Sequence, residues 1–275
     1  MSQDSLFVAR ARYTETALSR AGVADPALYA AFASVPREKF LGPGPWRVAE
    51  PEVGVWRTID DPRQLYVDAL VALDAERGIN NGVPSAHALW IHALELKAGE
   101  RVTHIGAGAG YYTAILAELV GPQGRVEAYE IDPKLAASAA ANLADRPNVE
   151  LHPVSGVDSP IGRADAIYVN AGASAPAASW LDALNVGARL VFPLTDAHGE
   201  GGMLKISRAA DGSWPARMLG GAAFIGLIGR GDEAESRAVH EAFQRGKAAD
   251  VRWLRRDGRH SQRDWLRSAR WRLTR

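Results

Sequence analysis

Cysteine is absent from the 275 residues. Disulfides, thiolate-held metals and a cysteine nucleophile are thereby excluded together, and no metal site is expected. Neither sign of charge prevails: 32 Lys and Arg stand against 32 Asp and Glu, so composition carries no electrostatic footprint for nucleic acid or a membrane surface. No run approaches the roughly 18 uninterrupted apolar residues that a membrane helix needs. Met1 to Arg12 lacks the continuous apolar core of a secretory signal, and a soluble cytoplasmic protein is the expectation. Internal repeats and low-complexity stretches are missing as well. What is there is ordinary: 47% hydrophobic and 23% charged residues suffice for a normal core, in one large domain with appendages or two small ones.

Helical spacing governs residues 5–40, first through Leu6, Ala9, Tyr13, Ala17 and Leu18, then through Leu28, Ala31 and Phe32 after Pro26. Gly42-Pro43-Gly44-Pro45 reads as a turn or linker. Residues 46–84 are punctuated by Gly and Pro and yield few elements; 86–96 is helical again. From residue 100 the pattern becomes regular. Strands are predicted over 101–105, 125–131, 149–154, 164–170 and 188–194, with helices over 111–120, 133–143 and 176–184. Asp132 is the expected N-cap of the second of these helices, and Pro133 its first residue. The alternation predicts an α/β fold: a parallel sheet with helices on both faces and right-handed crossovers. Beyond residue 200 a late strand pair (203–207 and 224–228), a helix (232–245) and an Arg- and Trp-rich tail are expected.

The central clue is Gly106-x-Gly108-x-Gly110 between a predicted strand and helix. Missing side chains let the backbone approach a ligand, and the following helix offers free N–H groups. Glu130 lies 20 residues past Gly110, at the end of the next strand. In a doubly wound sheet that position places a carboxylate beside the ribose hydroxyls of a nucleoside. A dinucleotide loop has the spacing G-x-G-x-x-G, but here its third glycine position is Tyr111. The spacing favours a ligand without a pyrophosphate, S-adenosylmethionine over NAD.

Beyond these features, Val-Thr-His-Ile-Gly-Ala-Gly-Ala-Gly-Tyr-Tyr-Thr-Ala-Ile-Leu-Ala over 102–117 resembles the first motif of the protein-L-isoaspartate O-methyltransferase family. Val-Glu-Ala-Tyr-Glu-Ile over 126–131, Ala-Asp-Ala-Ile-Tyr-Val-Asn-Ala-Gly-Ala over 164–173 and Val-Gly-Ala-Arg-Leu-Val-Phe-Pro-Leu over 186–194 resemble its later strand segments. Ser-Val-Pro-Arg-Glu-Lys-Phe-Leu over 34–41 is similar to the end of its N-terminal helix, and 224–229 to its last strand. The resemblance covers residues 10–230 in order. It implies a Rossmann-like, seven-stranded methyltransferase sheet and S-adenosylmethionine as cofactor. Three regions follow: an N-terminal helical cap with the substrate segment (1–99), the cofactor-binding domain (100–230) and a helical extension (231–275).

By the same resemblance, Gly106, Ala107, Gly108 and Gly110 would line the methionine portion of the cofactor, with His104 and Tyr111 in the same binding stretch. Glu130 would hold the ribose, Ile131 would pack on the adenine, and Ser155, Gly156 and Val157 would bracket the adenine edge. Asn170 would sit near the methyl group, with Asn81 as the second catalytic candidate. Asn80, Gly82, Pro84 and Ser85 fall in the substrate segment.

Three positions depart from the family pattern. Gly82 stands where the family has Ser. His104 replaces an acid; neutral it is a weaker acceptor for the cofactor's amino group, and charged it would repel it. Ser155 replaces Asp, with Asp158 nearby but out of register. Cofactor binding is expected to survive these changes, and repair of isoaspartyl peptides is expected to be poor.

Methyl transfer from a sulfonium depends mainly on positioning. A carboxylate acceptor needs no general base, whereas a hydroxyl or amine usually does. No strong base stands out; His87 and His92 lie near the substrate segment but read as structural. The sequence therefore favours O-methylation of a carboxylate on a peptide, protein or small acid. Two other classes stay open: a non-catalytic cofactor-binding module and, more remotely, a nicotinamide-dependent oxidoreductase. The tail either covers the acceptor cleft with Arg side chains or packs its Trp residues on the domain. No membrane partner is expected, and nucleic acid is not favoured.

Overall fold

The structure, a computed structural model, describes residues 3–50, 53–226, 232–257 and 259–275. In chain order the elements are α1 (Gln3–Ala21), α2 (Pro26–Ser34), β1 (Trp46–Ala49), β2 (Trp56–Ile59), β3 (Leu70–Asp74), β4 (Ile79–Asn80), α3 (Pro84–His92), β5 (Arg101–Ile105), α4 (Tyr111–Val120), β6 (Arg125–Tyr129), α5 (Pro133–Asn142) and β7 (Val149–His152). Then follow β8 (Ala164–Val169), α6 (Ala178–Ala183), β9 (Leu184–Thr195), β10 (Glu200–Ser207), β11 (Ala216–Ala223), α7 (Glu233–Gln244), β12 (Trp253–Arg255), β13 (Asp264–Arg267) and β14 (Arg272–Thr274). Seven strands follow the order β11-β10-β9-β8-β5-β6-β7. Pairing is parallel at β6–β7, β5–β8 and β8–β9 and antiparallel at β9–β10 and β10–β11. The expected seven-stranded α/β sheet is therefore present.

The chain divides into two compact units, Met1–Glu100 with Ala107–Val154, and Arg101–Gly106 with Ser155–Arg275. In the first, local chemistry sets the helix starts. The Asp25 carboxylate accepts from the N–H groups of Ala27 and Leu28, and that of Asp132 from Lys134 and Leu135. Pro follows each cap, where its missing N–H costs nothing. The N-terminal region is only partly the helical cap expected. It also holds an antiparallel sheet, β2-β1-β3-β4, over a small core of Leu41, Val48, Ile59, Leu65, Ala69 and Val71. Strands of two to five residues between Gly and Pro turns leave too short a period-2 signal to read.

In the second unit, β5, β8 and β9 carry buried runs such as Val102–Ile105 and Leu190–Thr195, as strands covered on both faces do. The late strand pair is β10 with β11. Residues 224–226 of the expected partner carry only a bridge from Gly226 to Gly172, and 227–229 lie outside the described residues. Among the described residues the C-terminal extension is helical in α7, which Asp232 caps, and in one 3-10 turn at Ala248–Asp250. The remainder is a three-stranded antiparallel sheet, β12-β14-β13. Trp271, Leu273 and Thr274 are buried in it, and the half-buried Arg272 pairs with Asp257 and Asp264. Among the described residues no helix is long and apolar enough to cross a membrane.

Candidate functional site

The glycine bend is built from backbone that only glycine adopts without strain. Gly106, Gly108 and Gly110 have φ of +77°, +58° and +96°. Gly110 caps α4 in the left-handed region, and a Cβ there would lie 2.9 Å from Leu143 Cδ1. Asn142 Nδ2 donates to the Ala109 carbonyl at 3.0 Å and ties the bend to α5. Ala107 is buried.

In the first unit, Glu130 stands just beyond β6. Its Oε2 accepts from Gly108 N at 2.7 Å and its Oε1 from Asp132 N at 2.9 Å. Burial raises its pKa, against the lowering effect of these backbone donors. A carboxylate held this way keeps lone pairs on both oxygens, enough for a vicinal diol. Next to it Ile131 is 42% exposed, a large apolar side chain with a face left to cover. Asp132 is held in turn by Arg77 at 2.6 Å. Sequence reasoning missed Arg77, which arrives from the β3–β4 turn with no local signal.

In the second unit, Asn170 follows β8. Its N–H donates to Ile105 O at 2.8 Å, and a Cβ on Gly106 would come within 3.2 Å of its carbonyl oxygen. Asn170 Nδ2 lies 2.8 Å from Nε2 of His104, which is fully buried and stacked on Tyr168. Burial pushes the His104 imidazole down to about 3, so the ring is neutral. Asn170 Oδ1 is buried with no hydrogen-bond partner among the described residues. In the loop after β7, Ser155 Oγ accepts from the N–H groups of Val157 and Asp158 and donates to Asp158 Oδ2. Gly156 O accepts from Trp180 Nε1 at 2.9 Å, and Val157 is buried. Asp158 thus organises the Ser155 turn. In the first unit the glycine backbone at 108–110, the doubly held Glu130 and the exposed Ile131 suit an adenosyl group; in the second, the orphaned Asn170 oxygen suits a polar donor.

Tyr111, expected in the cofactor stretch, commits its side chain to packing. It is buried, its hydroxyl lies 3.1 Å from that of Tyr13, and Phe32 and Phe40 meet its ring edge-on. The substrate segment is similarly engaged. Asn80 Oδ1 accepts from Gly82 N, forming a tight turn. Asn81 Oδ1 accepts from Val71 N at 2.9 Å and Arg37 at 3.4 Å, while its buried Nδ2 has no partner among the described residues. Pro84 begins α3, and Ser85 N donates to Asp68. Gly82 has φ +70°, and a Cβ added there would run into Nε2 of His87. That imidazole is buried and stacks on Tyr112, ring centroids 3.7 Å apart. His92 pairs with Asp25 at 2.9 Å.

Arg37 is the residue that sequence reasoning passed over. It is fully buried, and its guanidinium donates to the carbonyls of Leu65, Val67 and Ala69 at 2.7 to 2.8 Å as well as to Asn81. One side chain therefore ties the loop ahead of β3 to the substrate segment. In the tail, Trp265 and Trp271 are buried in packing. Arg256 and Arg270 instead line a cavity of about 660 Å³ with Ala173, Pro176 and Trp180.

Comparison with known proteins gives one family. A family model described as protein-L-isoaspartate(D-aspartate) O-methyltransferase matches residues 14–232. A protein-L-isoaspartate O-methyltransferase of Methanopyrus kandleri is 35% identical over 192 residues, 66% of this chain and 84% of that protein. One from Rhodopseudomonas palustris is 32% identical over 219 residues, 78% and 91% respectively. Among solved structures, a Plasmodium falciparum protein of this description in complex with S-adenosyl-L-homocysteine superposes with TM-score 0.64 at 22% identity. It covers 80% of this chain and 99% of its own, a likeness of fold.

Proposed function

Because the chain belongs to the protein-L-isoaspartate(D-aspartate) O-methyltransferase family and is an S-adenosylmethionine-dependent methyltransferase, we propose that it methylates a carboxylate on a peptide or protein in the cytoplasm, with poor activity toward isoaspartyl residues. Membership in a methyltransferase family displaces the non-catalytic and nicotinamide readings left open by the sequence.

In this reading Glu130 holds the ribose, Ile131 covers the adenine, and the bend at 106–110 takes the methionine portion. The loop at Ser155, Gly156 and Val157 borders the adenine edge. Bound there, S-adenosylmethionine supplies a methyl group already activated on its sulfonium. The protein's own task is placement. A carboxylate acceptor is ionised at neutral pH and attacks without proton removal, so the buried, stacked His87 and His92, which contacts Asp25, need not act as bases. Asn81 Nδ2, buried and unpartnered, is a donor suited to a carboxylate oxygen.

One observation carries the departure from isoaspartyl repair: the His87 ring occupies the space that a side chain at position 82 would enter. A hydroxyl on that residue, which the family resemblance would lead one to expect, has no room on this backbone. The test is transfer of labelled methyl from S-adenosylmethionine to an isoaspartyl peptide, to its aspartyl counterpart and to cell-extract proteins, scored as base-labile ester. Label is expected in extract proteins well above that in the isoaspartyl peptide. Efficient turnover of the isoaspartyl peptide would refute the specificity, and label stable to base would refute the carboxylate. Recovery of the protein with membranes would refute the cytoplasmic assignment.

A further inference from the structure

We propose that Asn170, oriented by His104, is this chain's own anchor for the cationic amino group at the methionine end of the cofactor. The inference rests on the reading that S-adenosylmethionine binds at the glycine bend.

The amide of Asn170 cannot turn freely. Its backbone is pinned by the hydrogen bond to Ile105 O, and one end of its side chain meets His104 Nε2 at 2.8 Å. His104 is itself packed on all sides, with no exposed surface and its ring nearly parallel to that of Tyr168. A neutral imidazole whose Nε2 accepts takes the donor end of the amide. The acceptor end, Oδ1, is then left buried and without a partner among the described residues. Buried polar atoms in folded proteins are nearly always satisfied, so this orphan points to a ligand donor. Gly106 packs on the main chain of the same residue, where an added Cβ would lie 3.2 Å from Asn170 O. A carbonyl-type oxygen repels a carboxylate and attracts an ammonium. Of the groups at the methionine end, it therefore selects the amine. His104, which replaces an acid in the family pattern, acts through its neighbour: the acceptor has moved from residue 104 to residue 170.

The experiment is calorimetric and needs no turnover. S-adenosylhomocysteine, its deaminated analogue and 5′-methylthioadenosine are titrated into the full-length protein and its variants. Asn170→Ala is expected to weaken S-adenosylhomocysteine by about ten-fold or more, the loss of a hydrogen bond to a charged group. It should leave the two probes that lack the amine unchanged. His104→Gln, which keeps an acceptor for the amide, should retain wild-type affinity. His104→Glu in the Asn170→Ala background should restore affinity for S-adenosylhomocysteine alone. Equal losses for all three probes, no loss for any, or no rescue by His104→Glu would each overturn the anchor. If wild-type protein bound none of the probes, the cofactor reading itself would fail, an outcome distinct from those. Should Asn170→Ala not fold, Asn170→Ser, which shortens the side chain and keeps it polar, carries the same comparison.

Discussion

A neutral histidine sealed in the sheet makes folding sensitive to mild acid, and the size of the effect can be worked out. His104 has no exposed surface, and burial pulls its imidazole from about 6.5 down to about 3. The unfolded chain binds a proton at this residue below about pH 6.5; the native state does so only near pH 3. The stability from keeping the ring neutral is complete above pH 6.5 and is lost as pH falls from there toward 3. Each pH unit in that window costs about 1.4 kcal/mol, so the descent from pH 7 to pH 5 should remove about 2 kcal/mol. Such a loss is a sizeable part of a domain's total of about 5–15 kcal/mol. His104→Gln preserves an acceptor for Asn170 and cannot titrate. Urea unfolding of both proteins at pH 7, 6 and 5, followed by tryptophan fluorescence, isolates the residue, because every other titrating group is common to the two. The wild type should lose about 2 kcal/mol more than the variant between pH 7 and pH 5. Parallel losses would mean that the imidazole is protonated in the fold, and the picture of a neutral ring accepting from Asn170 would be wrong.

Other consequences are simpler to read. Glu130→Ala removes the acceptor of two backbone N–H groups and, in our reading, of the ribose; affinity for S-adenosylhomocysteine by calorimetry should drop at least about ten-fold, and an unchanged value would refute the ribose role. Gly110→Ala forces a Cβ onto φ +96° and against Leu143, so stability in urea should fall by about 2 kcal/mol, where a harmless substitution would show a shift near zero. Arg37→Met keeps the side-chain volume but strands three main-chain carbonyls; a loss below about 1 kcal/mol in thermal or urea unfolding would show that they are satisfied by other means.

The parts legible in the sequence are those where local chemistry and global fold agree. Helix α4 spans the predicted 111–120, and α5 starts at the cap and proline that announce it. Glu130 could be singled out because a strand ending beside a glycine bend fixes where its next residue stands. Arg37 could not, because a fully buried arginine contradicts every compositional expectation until the ring of carbonyls around it is seen. Arg77 and the His104–Asn170 contact were equally invisible, since each joins positions 55 to 66 residues apart that no periodicity relates. The short strands of the N-terminal sheet and of the tail escaped for another reason: two to five residues do not complete enough alternations to distinguish a strand from a turn.

The quarrel for space between positions 82 and 87 has an evolutionary side. Neither residue can be exchanged alone for the family's hydroxyl arrangement: a bulkier residue at 82 collides with the ring, and shrinking the ring first opens a void beside Tyr112. If the acceptor does differ as proposed, laboratory conversion toward isoaspartyl peptides should go further with both codons changed together than with either alone.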